Sequence, residues 1–253
     1  LSIITLLGAS LFTPSTSIEV INAWGSGFWN LLSFAMQMLL VLITGYMLAS
    51  TPPINKLLEK LATFANTAPK AIILVTLISL LASWLNWGFG LVIGALFAKA
   101  IAKQTKVDYR LLVASAYSGF VVWHGGLAGS IPLTIATEGH FSQSSIGIIS
   151  TEQTLFAGFN IAILIGLFII MPLVNRYMLP SDKNSVYVDP ALIKESPDHN
   201  ENITRPAQHL EHSKLLGIAI GLLGLCYLAY YFIFAGGSLN LNSVIAVFLF
   251  LAI

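Results

Sequence analysis

Residues 71–98 read AIILVTLISLLASWLNWGFGLVIGALFA, 28 residues without a single charge. A helix needs roughly 20 apolar residues to cross a hydrocarbon core of about 30 Å, so this stretch is too long for one untilted span and too short for two. Its centre, Asn86-Trp87-Gly88-Phe89-Gly90, holds two glycines and an Asn that interrupt helical geometry. Each arm then keeps about 12–15 residues, or roughly 18–22 Å at 1.5 Å per residue, which falls short of crossing. The stretch therefore reads as a re-entrant helical hairpin with its tip near the membrane midplane. The competing reading is one long tilted helix kinked at its glycines.

Charge placement separates the two. All twelve Lys and Arg fall in three segments: Lys56, Lys60 and Lys70; Lys99, Lys103, Lys106 and Arg110; then Arg176, Lys183, Lys194, Arg205 and Lys214. The connections Thr13–Gly27, Glu138–Gln153 and Gly236–Asn242 have none. Cytoplasmic loops are enriched in basic residues, which puts the three basic segments inside. A single crossing at Ala71–Ala98 would place the Lys99–Arg110 cluster outside. A hairpin that turns back puts every later loop on its expected side.

The surroundings agree with a lipid solvent. The chain is 56% apolar and only 9% charged, with a mean hydropathy of +0.82, where a soluble domain carries about 25% charged residues. Four further stretches are long enough to span: Phe28–Ser50, Leu111–Thr137, Thr154–Val174 and Leu215–Ala235. Another span starts near Ser243. The run Leu1–Phe12 lacks a basic leader and reads as the end of a span, not a signal peptide. The sequence is thus expected to be a fragment of an all-α polytopic membrane protein. Its one cysteine, Cys226, reads as a small buried apolar residue and excludes an intrachain disulfide. A net charge of +1 with no continuous basic patch gives no sign of nucleic-acid binding, and no nucleic-acid partner is expected.

The segment Asn175–Ser213 differs from its neighbours. It carries six of the eleven acidic residues (Asp182, Asp189, Glu195, Asp198, Glu201 and Glu211) and three of the five histidines, His199, His209 and His212. Spaced along a Pro-containing polar loop, they fit a solvated cytoplasmic linker better than a metal site. The expected organisation is a first transmembrane repeat over 1–174 with its hairpin at 71–98, a linker at 175–213, and the start of a second repeat over 214–253.

Unwound backbone is tolerated at membrane depth only where it is buried in protein or lines a cavity. Breaks inside apolar runs are therefore candidate sites, and there are two. One is Asn86–Gly90. The other is Trp123-His124-Gly125-Gly126-Leu127-Ala128-Gly129-Ser130-Ile131-Pro132, where three glycines and a proline free backbone N–H and C=O groups. Freed N–H groups suit a carboxylate, and freed carbonyls suit a cation. Paired broken helices are the usual construction of a secondary-transporter site. Glycines in membrane helices also serve close packing, as Gly90 with Gly94, or Gly217 with Gly221, could do at small-xxx-small spacing. The apolar runs hold no Asp, Glu, Lys or Arg. That leaves His124 as the ionisable candidate at depth, with a role in coupling to pH or in satisfying a freed carbonyl. Trp84, Trp87, Phe89 and Trp123 could wall the apolar tail of a short carboxylate.

At these residues the sequence resembles a known family. Trp24-Gly25-x-Gly27-Phe28-Trp29-Asn30-Leu31-Leu32, Asn86-Trp87-Gly88-Phe89-Gly90-Leu91-Val92, Gly125-Gly126-x-x-Gly129-Ser130-x-Pro132, Asp189-Pro190 and Tyr227-Leu228 are similar to the short-chain fatty acid transporters of bacteria. That resemblance places the chain in the ion-transporter superfamily, with inverted repeats, paired hairpins and unwound helices. It implies uptake of butyrate, acetoacetate and similar monocarboxylates across the cytoplasmic (inner) membrane by proton or cation symport. Asn86, Trp87, Gly88, Gly90, His124, Gly125, Gly126 and Ser130 become the candidate substrate-binding residues. His124 departs from the family, which usually has a small residue there. The resemblance implies no cofactor and no enzymatic activity, with H+ or Na+ as the coupling ion. The expected partners are a short-chain carboxylate and the lipid bilayer, with a homodimer as the candidate assembly. Carriage of dicarboxylates is the alternative within transport. A membrane-embedded enzyme on acyl groups is the alternative outside it, disfavoured because the spans offer one histidine and no carboxylate.

The charge argument has a direct test. A Lys103→Cys variant should react with an impermeant thiol reagent from the cytoplasmic face only; labelling from outside would show a single crossing.

Overall fold

The chain turns back at Asn86. In a computed structural model, which describes residues 1–189, 193 and 213–253, helix α5 (Ala68–Leu85) and helix α6 (Trp87–Gln104) pack antiparallel with one residue between them. Their register centres on the turn: Gly90 lies against Ser83 and Gly94 against Ser79. A Cβ at Gly90 would stand 2.5 Å from the Ser83 Cα, so the arms touch there only because glycine has none. At the open end the Thr105 hydroxyl donates to the Ala65 carbonyl, so both ends of the hairpin lie on one side. The hairpin runs over 68–104, longer than the expected 71–98. Each arm has 18 residues, roughly 27 Å at 1.5 Å per residue. Arm length therefore no longer demands a tip at the midplane. The extra turns are Ala68–Lys70 and Lys99–Gln104, helical residues that the charge boundary had cut away.

The other α-helices among the described residues, in chain order, are α1 (Ser2–Phe12), α2 (Ser17–Asn30), α3 (Leu32–Ala49), α4 (Pro52–Ala62), α7 (Tyr109–Ser118), α8 (Ser130–Ile135), α9 (Gln143–Ile146), α10 (Gly158–Tyr177), α11 (Lys214–Ile233) and α12 (Leu241–Ala252). Among the described residues there is no strand. Five segments are long and apolar enough to cross a membrane: Ser17–Ala49, Ala68–Leu85, Tyr109–Ile135, Gly158–Tyr177 and Lys214–Ile233. The protein is an all-helical, polytopic membrane protein. Two expectations are corrected. The connection Thr13–Gly27 is largely helical, because Thr16 accepts from the Glu19 N–H while the Glu19 carboxylate accepts from the Thr16 N–H, a capping box that starts α2. Cys226 is exposed, because α11 buries only its Gly221, Gly224 and Leu228 face.

The hairpin is the core. Ile72, Val75 and Leu80 of α5, Phe97 and Ile101 of α6 and Leu112 of α7 are fully enclosed. Helices α3, α4, α7 and α10 surround it, and α12 packs on α3. Outer faces stay apolar: on α10, Ile163, Ile165, Ile169 and Ile170 are exposed, and only Pro172 and Asn175 are buried. Lipid tails are as apolar as these side chains, so packing and interhelical hydrogen bonds must hold the helices together. Asn175 supplies two such bonds, donating to Thr76 Oγ1 of α5 at 3.0 Å and to Ser118 Oγ of α7 at 2.7 Å.

At the basic end, Asp108 caps α7 and holds the start of the linker. Its carboxylate accepts from the N–H groups of Leu111 (2.8 Å) and Val186 (2.7 Å) and from Arg110 Nη2 (3.1 Å). Tyr109 N–H donates to the Val186 carbonyl at 2.8 Å, and Lys106 sits 4.6 Å over the Tyr187 ring. Burial raises the Asp108 pKa, but the Val186, Leu111 and Arg110 hydrogen bonds outweigh it and leave it below the ordinary value of 3.8. A depressed folded-state pKa stabilises above the unfolded value and ceases to as pH falls through the folded one. Asp108→Asn should cost about 1–2 kcal/mol at pH 7. In a thermal-melt series in detergent, its deficit against the parent should shrink as pH falls below about 4.

Candidate functional site

The hairpin tip is built around one asparagine. Asn86 is extended (φ −157°, ψ 126°) and wholly buried. Its N–H donates to the Ala82 carbonyl at 3.0 Å and closes α5. Its Oδ1 accepts from the Phe89 N–H at 3.0 Å and opens α6. One residue thereby caps two helices. The tip is seated on α3 at Gly45, where a Cβ would come within 2.5 Å of the Phe89 nitrogen.

The second break lies alongside. After Ser118 the chain tightens into a 3₁₀ helix over Gly119–Gly125. Three residues per turn bring i and i+3 onto one face, so Phe120 and Trp123 stack at 4.9 Å and Tyr117 stacks on Phe120 at 6.0 Å. Trp87 meets Trp123 edge-on at 5.8 Å. The helix opens at Gly126 (φ −88°, ψ 170°). Leu127 N–H then donates to the Trp84 carbonyl at 2.7 Å, and the Gly125 carbonyl accepts from Asn160 Nδ2 at 3.0 Å. A Cβ on Gly126 would lie 2.5 Å from the Trp84 oxygen. Only glycine lets the break approach the tip this closely.

The structure thus joins the tip to the unwound helix through Trp84–Leu127 and Trp87–Trp123. Gly90 and Gly126 act as packing positions, and Gly88 lies against the α3 backbone at Leu42. His124 is exposed, with its ring 3.8 Å from that of Trp123 and no side-chain hydrogen bond. It does not satisfy a freed carbonyl. That task falls to Asn160, which also donates to the Leu155 carbonyl at 2.7 Å. Sequence reasoning missed Asn160, though an Asn inside the apolar run Thr154–Val174 was the available signal. The linker histidines His199, His209 and His212 lie outside the described residues. No metal-holding cluster of His, Cys, Asp or Glu occurs among the described residues.

What remains unpaired is informative. Five buried side-chain atoms have no partner within the described residues: Ser83 Oγ, Asn86 Nδ2, Trp87 Nε1, Ser115 Oγ and Ser130 Oγ. Buried polar groups are bonded in the great majority of cases. All five can donate, and three belong to the hairpin tip.

A polytopic helical bundle with a capped hairpin tip against an unwound helix, and unpartnered uncharged donors on both segments, has the build of a membrane carrier. The chain belongs to the short chain fatty acid transporter family, whose model matches residues 1–253. It is 42% identical over 253 residues to a protein of Escherichia coli (strain K12) and 41% identical over 260 residues to one of Haemophilus influenzae. Both are named "Putative short-chain fatty acid transporter", and each alignment covers 98% of this chain. The chain spans 58% of the length of each relative. No solved structure matches it. Membership of a transporter family removes the enzyme alternative.

Asn86→Ala should lose the α6 cap, worth about 0.5–2 kcal/mol, and abolish uptake. Asn86→Asp keeps the cap acceptor but sets a negative charge among the donors. It should melt near the parent temperature yet still fail to transport. Normal uptake by Asn86→Asp would take the tip out of the site.

Proposed function

We propose that this chain supplies the first half of the translocation site of a secondary transporter for short-chain monocarboxylates such as butyrate and acetoacetate. The observation that carries the reading is the set of buried donors without acceptors at the hairpin tip and the break. A carboxylate accepts several hydrogen bonds and donates none, so it complements donors on Asn86, Trp87 and Ser130. The rings of Trp87, Trp123 and Phe120 offer an apolar wall for a short tail. Relatives named for short-chain fatty acids support the substrate class. Charge placement supports a bacterial cytoplasmic membrane location with the basic loops inside and the hairpin entering from that side. The second hairpin and unwound helix of an inverted repeat would complete the site. Proton or sodium symport is the coupling proposed, and the bilayer and a second copy are the proposed partners.

Proteoliposomes of the intact transporter should accumulate labelled butyrate and acetoacetate under an imposed pH or Na+ gradient. Uptake of succinate in place of both would move the assignment to dicarboxylates.

A further inference from the structure

We infer a second carboxylate-binding station in the groove that α5, α6 and α7 line, running from the basic end to Ser83 beside the tip. This rests on the monocarboxylate reading above and shares Phe120 with that site, while Lys99, Tyr109, Leu91 and Val113 lie outside it. The groove has a volume of about 240 Å³, below the roughly 300–1,000 Å³ of drug-sized pockets and suited to something smaller. Leu91 and Val113 form its walls, Phe120 closes its tip end, and Lys99 and Tyr109 stand at its basic end. Ser83 also lines it, 1% exposed with its hydroxyl unpartnered. That hydroxyl lies against Gly90, where a Cβ would come within 2.3 Å of Oγ; the missing methyl is what leaves the oxygen room.

The two polar ends are far apart. Lys99 is nine residues beyond Gly90 on α6, roughly 13 Å along the axis. That backbone separation exceeds the length of a four-carbon carboxylate, so on this proposal its head group occupies one end at a time. The groove therefore holds its ligand in one of two positions. At the basic end the ammonium of Lys99, a half-buried residue, and the Tyr109 hydroxyl face the carboxylate while the tail lies on Leu91 and Val113. At the deep end Ser83 donates to the same head group, one turn from Asn86. Lys99 sits on a groove wall that excludes part of its water, which strengthens its attraction for an anion. A lysine that merely extends its amine to the membrane surface would bind nothing here.

The test uses the intact transporter in inside-out vesicles with Cys226→Ser as background. Val113→Cys is labelled by a maleimide in the presence of butyrate or of butyramide, its uncharged isostere, and butyrate uptake is measured in the same vesicles. Butyrate should slow labelling and butyramide should not. Adding Lys99→Gln should raise the protecting butyrate concentration about three- to tenfold. Ala95→Cys, on the facing helix, repeats the measurement should Val113→Cys fail to assemble. Uptake without protection overturns the groove and leaves the transport reading standing. Protection without uptake supports the groove and overturns that reading. Equal protection by butyramide overturns the part given to Lys99.

Discussion

A backbone group in lipid must find its partner inside the protein, and this fold is arranged around the few places where a helix cannot supply one. At Asn86 two helix ends meet, and at Gly126 a third opens. The Asn86 side chain, the Trp84 carbonyl and Asn160 resolve them. The Leu127–Trp84 bond matters most, because it satisfies one donor from the break with one acceptor from the tip. The Asn86 break is capped by its own residue, whereas the Gly126 break relies on the tip for the partner of Leu127 N–H. That dependence fixes the hairpin against α7 and α8 more firmly than apolar contact could in a solvent as apolar as the side chains themselves.

Glycine makes the arrangement possible by proximity. Gly90 admits Ser83, Gly45 admits the tip, and Gly126 admits Trp84. Function and packing are therefore not alternatives at these positions. The glycines let three backbones converge, and the convergence is what leaves small polar side chains buried with free donors. A methyl group at Gly126 would push the break off the tip, one at Gly90 would part the two arms of the hairpin, and one at Gly45 would lift the tip off α3.

The hairpin was legible from charge placement and the breaks from glycine and proline. Both signals are local and strong in lipid. Arm length was not legible, because Lys99 and Lys103 continue α6 as helical residues and mark a membrane boundary without ending the helix. Helix α2 was hidden for a different reason: its capping box, Thr16 with Glu19, sits in a stretch too polar to look like a span. His124 looked decisive because it was the ionisable group in an apolar run. The 3₁₀ twist turns it outward onto Trp123. A helical wheel drawn at 3.6 residues per turn cannot show that rotation. Asn160 carries no charge and stood out less, yet it does the work expected of the histidine.

The lack of charge on the proposed donors of this chain would have an energetic consequence. Asn86, Trp87 and Ser130 can hold a carboxylate only by donation; none brings a countercharge. A carrier loaded by such donors alone would move one net negative charge with each anion. Against an inside-negative potential that costs about 2.3 kcal/mol per 100 mV. A lysine in the site would cancel the charge but would also hold it in the unloaded carrier, at the price of burying an unpaired cation on the return. Neutral donors avoid that penalty, and they leave neutralisation to a cation that travels with the substrate. The proposed symport with H+ or Na+ is the coupling that such a donor set would favour, and the proposed groove keeps its lysine, Lys99, at the basic end, away from Asn86 and Trp87.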